Sequence, residues 1–270
     1  MTGGDRGKLM TYFGGKAQDG VYQTIINQIP PHERYIEAFL GGGAIMILKR
    51  PATVNIGIDL DAKALEEFSI AYRQKRREDI QVPCRQKCLE DIYVIQTSAL
   101  DFLRSSIGVN TPDTFIYCDP PYPLSTRSCP DRCRYTYEMT DAEHHELLDI
   151  LKSLNCQVMI STYPNMMYTD ELEDWRFTSY TSVTRSGDPR LEHIYMNYPE
   201  PEILHDDRYL GADANNRQDI NRRIARTKKR LLHWPKPERL KMLRQLLGVM
   251  GEDEREYLSC SIDRNTYTGS

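Results

Sequence analysis

Apolar positions along this chain recur at two spacings, and the chain switches repeatedly between them. Short runs of strand formers at 35–39, 54–58, 92–95, 114–117 and 156–160 are nearly continuous in hydrophobic character, as strands buried on both faces are. The segments between them carry helical spacing. Val21, Tyr22, Ile25, Ile26 and Ile29 share one face of a segment predicted to start with Asp19 as N-cap and to stop at Pro30-Pro31. Ala64, Leu65, Phe68 and Tyr72 form a second stripe, 99–103 begins a short helix, and Leu147, Leu148, Leu151 and Leu154 follow a Thr140/Glu143 capping box. Strand and helix in alternation predict a parallel sheet with crossover helices. Two β-rich runs, 177–184 and 192–198, are joined by the turn-forming stretch 185–190, so the sheet is expected to end in an antiparallel hairpin. The predicted fold class is α/β, a Rossmann-like sheet, mostly parallel, with that C-terminal hairpin.

After about residue 204 the pattern changes. Segments 216–234 and 237–250 read as two helices, the second expected to bury Leu240, Leu243, Leu247 and Met250. Between Arg208 and Arg244 there are 12 Lys/Arg against 3 Asp/Glu, in a chain whose net charge is −4. That local excess is the footprint of a phosphate-binding surface, although charge runs also form plain solvated helices. We therefore divide the chain into a main domain, 1–204, and a basic helical extension and tail, 205–270.

With 270 residues and 40% apolar content the chain can bury one sizeable core. No apolar run approaches the roughly 18 residues of a membrane span, and the first residues lack the apolar centre of a signal peptide. Seven cysteines, an odd number, argue for reduced thiols and a cytoplasmic protein without membrane association. Cys84, Cys88, Cys129 and Cys133 could form a four-thiolate zinc site. Their three-residue spacings are not the commoner two, so no metal is assigned.

Chemistry is expected at the carboxyl ends of the strands. The run 114–117 stops at Cys118-Asp119-Pro120-Pro121-Tyr122, where two prolines fix φ and remove backbone donors, holding a carboxylate and an aromatic ring at a rigid strand end. The first strand runs into Leu40-Gly41-Gly42-Gly43, a loop that lets a nucleotide approach the main chain. Asp59 ends the second strand eighteen positions after Gly41, a spacing suited to hydrogen bonds with ribose hydroxyls. Tyr12-Phe13-Gly14-Gly15-Lys16 adds a second glycine pair followed by a lysine.

Taken in order from Tyr12-Phe13-Gly14-Gly15-Lys16 through Glu37-Ala38-Phe39-Leu40-Gly41-Gly42-Gly43, Asp59-Leu60-Asp61 and Asp119-Pro120-Pro121-Tyr122, the set resembles the Dam-like class of adenine-specific DNA methyltransferases. The resemblance spans about 11–199 and implies a Rossmann-like methyltransferase sheet, S-adenosylmethionine as cofactor and double-stranded DNA as partner. It implies catalytic roles for Asp119, Pro120 and Tyr122, with Asp119 and the Pro120 carbonyl accepting from the target amine and Tyr122 stacking on the extruded base. For the cofactor it implies Tyr12, Lys16, Phe39, Gly41, Gly42, Gly43 and Asp59. Two departures stand out: Ala38 where the family often has proline, and Ser98 where an acidic residue is usual, for which Asp101 is the candidate substitute. The long recognition segment common before the Asp-Pro-Pro-Tyr motif is also missing, which turns attention to Arg127, Arg132 and Arg134, to Arg185 and Arg190, and to the basic extension for contacts with DNA.

The same motif logic serves cytosine amines or RNA. A nicotinamide oxidoreductase fits less well, because the third glycine of that fingerprint is absent. A catalytically silent DNA-binding accessory is the alternative outside enzymes. Cys118 is read as buried packing rather than as a nucleophile.

Overall fold

A computed structural model describes residues 16–79, 92–105, 110–126, 136–184 and 187–266, with backbone alone at 76–79 and 260–266. The chain divides into two compact units, Met1–Arg76 with Cys88–Asp207, and Arg77–Lys87 with Arg208–Ser270.

The first unit is built on a seven-stranded sheet in the order β3-β2-β1-β4-β5-β7-β6. Its strands are β1 (Arg34–Ala38), β2 (Val54–Asp59), β3 (Ile92–Gln96), β4 (Thr114–Cys118), β5 (Gln157–Thr162), β6 (Arg176–Val183) and β7 (Pro189–Met196). The first five are parallel, and β7 runs antiparallel to both β5 and β6. The expected mostly parallel, Rossmann-like sheet with a closing hairpin is therefore present. Its helices are α1 (Val21–Ile26), α2 (Ala44–Leu48), α3 (Ala62–Asp79), α4 (Ala99–Ser105), α5 (Asp141–Ser153) and α6 (Met166–Glu171).

Burial follows from the strands' two-residue period. On one face Ile36, Ala38, Ile58, Ile116, Cys118, Val158 and Ile160 join Leu103 of α4, Leu147, Leu148 and Leu151 of α5 and Tyr168 of α6 in one core. On the other lie Tyr35, Glu37, Phe115 and Tyr117, with Glu37 bonded to the α2 backbone. The capping box of α5 forms as predicted: Thr140 Oγ1 accepts from Glu143 N–H at 3.3 Å and Glu143 Oε2 accepts from Thr140 N–H at 2.7 Å. His144 on α5 is fully buried and bonded to the Tyr168 hydroxyl at 2.9 Å. The N-cap of α1 is Gly20, one residue later than expected.

The sheet order reverses between β1 and β4, which makes their carboxyl ends the topological switch point where α/β sheets bind ligands. Register makes this specific. Ala38 lies beside Ile58 on one side and Cys118 on the other, so the next residues along, Asp59 and Asp119, flank Phe39 in one row.

The second unit contains α7 (Ala214–Leu232), α8 (Lys236–Val249) and a further helix, α9 (Glu252–Thr266), that hydrophobic spacing did not announce. Leu240, Leu243 and Leu247, predicted to be buried, are each more than 40% exposed. Their stripe has helical period, but a stripe is buried only where an opposing apolar surface covers it.

One glycine sets the loop after β1. Gly43 has φ +59°, and a Cβ on it would collide with the Phe68 ring and press on Leu40. Gly43→Ala is expected to destabilise the protein by about 1–3 kcal/mol through overpacking alone, read from urea unfolding, with further cost from the left-handed backbone.

Candidate active site

Asp119 sits one residue past the end of β4, and the Pro120-Pro121 pair prevents the strand from continuing. Its side chain keeps 20% of its surface. Around it the fold gathers groups from distant parts of the chain. The Lys16 ammonium lies 3.0 Å from Asp119 Oδ1 and 2.6 Å from Glu192 Oε2, and it donates to the Tyr122 hydroxyl as well. The Tyr122 hydroxyl is 2.6 Å from Glu192 Oε2 and 3.1 Å from Asp119 Oδ1, while the Tyr180 hydroxyl donates to Glu192 Oε2 at 2.8 Å.

The hairpin explains how Glu192 gets there. Because β7 is antiparallel, with Thr162 opposite His193, Glu192 falls just past the carboxyl end of β5, on the edge that carries Asp119. Tyr180 is its register partner on β6. Lys16 is held in place by Gln18, whose side chain pairs with both backbone groups of Val183 at 2.6 and 2.8 Å, filling an edge position of β6.

Burial opposes every charge in this cluster, and the neighbours decide each outcome. Lys16 loses hydration, but Asp119 and Glu192 together hold its pKa well above the ordinary lysine value. Burial pushes the Asp119 carboxyl up, with the Lys16 ammonium offsetting only part of the rise. Glu192 is also penalised by burial, yet Lys16 and the hydrogen bonds it receives keep its carboxyl below the usual glutamate range. The ammonium lies closer to Glu192, at 2.6 Å against 3.0 Å for Asp119, and Asp119 is the more readily protonated carboxylate.

The glycine loop forms the adjoining wall. Phe39 leaves β1 with φ +66°, a left-handed conformation costly for an aromatic residue and typical of functional strand ends. Gly41, at φ +49°, donates its N–H to Asp59 Oδ2 at 2.7 Å, and Asp61 N–H reaches Asp59 Oδ1 at 2.9 Å. Asp59 therefore ties β2 to the loop and, with about four lone-pair positions on a carboxylate, keeps acceptor capacity. Beneath the loop, buried Glu37 accepts from Tyr35 Oη–H and Met46 N–H, both at 2.9 Å, and burial lifts its carboxyl from 4.5 to about 8.

Of the residues singled out from sequence, the structure thus brings Lys16, Asp119 and Tyr122 into contact and sets Phe39, Gly41, Gly42, Gly43 and Asp59 along the same edge. Pro120 is buried beside Asp119. Asp101 belongs to the surface of α4, 69% exposed and paired with Arg104 at 3.1 Å. Arg190 is exposed at the start of β7. Tyr12, Arg127, Arg132, Arg134, Arg185 and the cysteines at 84, 88, 129 and 133 lie outside the described residues. Among the described residues no His/Cys/Asp/Glu group could hold a metal ion. Tyr122, expected to offer an open stacking face, is 6% exposed, with Lys16 Nζ 4.9 Å from its ring centroid and Tyr163 edge-on at 4.5 Å. Cys118 is buried and its thiol is pushed far up by desolvation, which makes it inert as a nucleophile. Sequence reasoning missed Glu192 and Tyr180. The available signal was a carboxylate alternating with Ile194 and Met196 on the inward face of a strand.

No family model matches the chain, and no curated protein does. Solved structures resemble it distantly. Precorrin 8W decarboxylase from Methanobacterium thermoautotrophicum is 11% identical over 69% of this chain and 94% of its own, with a TM-score of 0.43. TrmK of M. capricolum, in complex with S-adenosylhomocysteine, is 8% identical over 85% and 94%, with a TM-score of 0.42. The Escherichia coli protein yhhF, described as a methyltransferase candidate, is 15% identical over 68% and 90%, with a TM-score of 0.41. Identities and TM-scores this low leave the function to be argued from the site's own residues.

Glu37 gives the site a pH signature. Its folded pKa is raised, so it contributes most to stability below about 4.5, and that contribution fades as pH rises through about 8. Glu37→Gln keeps an acceptor and removes the titration. Thermal melts across pH 5–9 are expected to fall less steeply for the variant than for the wild type.

Proposed function

We propose that this protein transfers the methyl group of S-adenosylmethionine to the exocyclic 6-amino group of adenine in double-stranded DNA. The observation that carries the reading is a partly accessible carboxylate, Asp119, held at a Pro-Pro strand end on the switch point of the sheet, in one row with the glycine loop and Asp59.

The residues present suit the cofactor. The left-handed backbone at Phe39, Gly41 and Gly43 turns the loop sharply at the strand end, as a closely approached nucleoside requires, and Asp59 retains acceptor positions for ribose hydroxyls. Phe39 and the Gly41 to Gly43 loop would hold it, with Asp59 on the ribose. S-adenosylmethionine would supply a sulfonium-bound methyl, an electrophile that leaves a neutral thioether behind.

The chain's own residues deal with the amine. An amine conjugated to a purine is a poor nucleophile, because its lone pair is delocalised into the ring. Hydrogen bonds from its N–H groups to the Asp119 carboxylate and the Pro120 carbonyl favour a pyramidal nitrogen and aim the lone pair outward. Positive charge develops on that nitrogen only during transfer, so an anionic acceptor stabilises the transition state more than the ground state. Afterwards Asp119 is placed to take the proton that the methylated amine sheds. The base must leave the duplex to reach this edge. Tyr163, half-buried and edge-on to the Tyr122 ring, supplies the aromatic wall beside it.

DNA as the partner is supported by α7, where Arg222, Arg223, Arg226, Lys228, Lys229 and Arg230 are all exposed. Arg190 on the hairpin is a further candidate contact, as are Arg127, Arg132, Arg134 and Arg185.

Incubating the protein with labelled S-adenosylmethionine and DNA, followed by digestion to nucleosides, should place label in N6-methyldeoxyadenosine. Asp119→Ala should lower the rate by about 10²-fold or more while cofactor binding persists. Label in methylcytosine, or with RNA only, would overturn the adenine reading. Separately, replacing Arg222, Arg223 and Arg226 together by alanine should weaken DNA binding and flatten its dependence on log salt by about 0.9 for each phosphate that the variant leaves unneutralised. An unchanged slope would return α7 to solvent.

A further inference from the structure

Glu192 is too deeply placed and too fully committed to be a second acceptor for substrate. Its Oε2 receives Lys16 Nζ at 2.6 Å, the Tyr122 hydroxyl at 2.6 Å and the Tyr180 hydroxyl at 2.8 Å, and its side chain is 6% exposed against 20% for Asp119. The Tyr122 hydroxyl has one proton and two carboxylates in reach, and the shorter contact is to Glu192. Lys16 likewise spans both carboxylates and lies closer to Glu192. One ammonium facing two carboxylates leaves an excess negative charge, and Asp119, 20% exposed against 6% for Glu192, is the carboxylate that an incoming donor can reach.

We propose that Glu192 is a positioning residue for the methyl transfer. It retains the Lys16 ammonium and the Tyr122 proton when the target amine arrives, so that Asp119 is free to accept from that amine. The inference rests on the methyl-transfer reading. Lys16 Nζ lies 3.0 Å from Asp119 Oδ1, the oxygen from which the amine would be held. Without an anionic partner at 192, the ammonium has Asp119 as its sole counterion within reach among the described residues, and the amine must compete with a full positive charge for the same oxygen. With Glu192 present the lysine has somewhere to remain. Tyr180 supports this by donating to Glu192 from the neighbouring strand, and Lys16, Asp119, Glu192, Tyr117, Tyr122 and Tyr180 act on one another here, with Glu37, Cys118 and Tyr168 also coupled to Asp119.

Two variants of the full chain separate positioning from simple packing, because they remove opposite charges. Glu192→Gln takes away the negative neighbour that raises Asp119, and Lys16→Met takes away the positive one that lowers it. In pH profiles of methyl transfer to DNA, the acid limb should move down by about one unit in Glu192→Gln and up by about one unit in Lys16→Met, the range expected for a neighbouring charge. Glu192→Gln should also lose about tenfold in kcat/KM on the alkaline plateau, where Asp119 is ionised in both proteins. Melting curves verify folding, and if Glu192→Gln does not fold, Lys16→Met against wild type carries the comparison. Limbs that do not move, or that move the same way in both variants, overturn the proposal. Carbon-13 NMR of the Asp119 carboxyl in the ligand-free proteins distinguishes the two levels of failure. Midpoints that move in opposite directions, in a wild type that transfers no methyl, sink the methyl-transfer reading and this role within it while leaving the charge triad standing. Transfer by the wild type with unmoved midpoints sinks the role of Glu192 alone.

Discussion

A single ammonium shared between two carboxylates organises the edge of the sheet. Lys16, Asp119 and Glu192 are far apart in sequence, and each would be expensive to bury alone. Together they are tolerated because the lysine and its hydrogen-bonding tyrosines reach both carboxylates. Deleting one member of such a buried set typically costs about 3–5 kcal/mol, since the partner is left uncompensated. The hairpin, the segment leading into α1 and the end of β4 are consequently locked to one another by charge as much as by packing. Asp119 is the member that retains surface, with 20% of its side chain exposed against 6% for Glu192.

The neighbouring glycine loop is held by different means. Its left-handed turns at Phe39, Gly41 and Gly43 have no intrinsic preference to persist, so the surroundings over-determine them. Asp59 accepts the Gly41 N–H from the adjacent strand, Leu40 N–H bonds Ile58 O at 2.8 Å, and the Phe68 ring fills the space that a side chain on residue 43 would need. The result is an edge made largely of backbone, beside one made of charged side chains.

The second unit follows another logic. Its helices carry basic residues on α7 and leucines on α8 that remain exposed, so propensity and local capping define them more than burial does. Asp213 caps α7 by accepting from Asn216 N–H at 2.8 Å, and Pro235 precedes α8. Hydrophobic spacing alone suggested a buried stripe at Leu240, Leu243 and Leu247. Periodicity reports which residues share a face, and cannot report whether anything covers it.

Most of the sheet is written in the order of the amino acids. Continuous apolar runs broken by glycine and proline are local signals, and they placed the five parallel strands, the hairpin, the α5 capping box and the strand ends at Gly41, Asp59 and Asp119. Their backbone constraints were legible too, because a Pro-Pro stop or a glycine triplet constrains the chain wherever it occurs. Which groups meet at that edge is settled by folding. Glu192 and Tyr180 sit in strands whose two-residue period shows two faces without saying which is inward or how far each strand slides past its neighbour. Only the antiparallel register of β7 against β5 carries Glu192 to Asp119. Asp101, acidic and near the end of β3, lies on the surface of α4, 69% exposed and paired with Arg104 one turn on. Charge in sequence is one-dimensional. The field at Asp119 depends on distances of a few ångströms that folding alone creates.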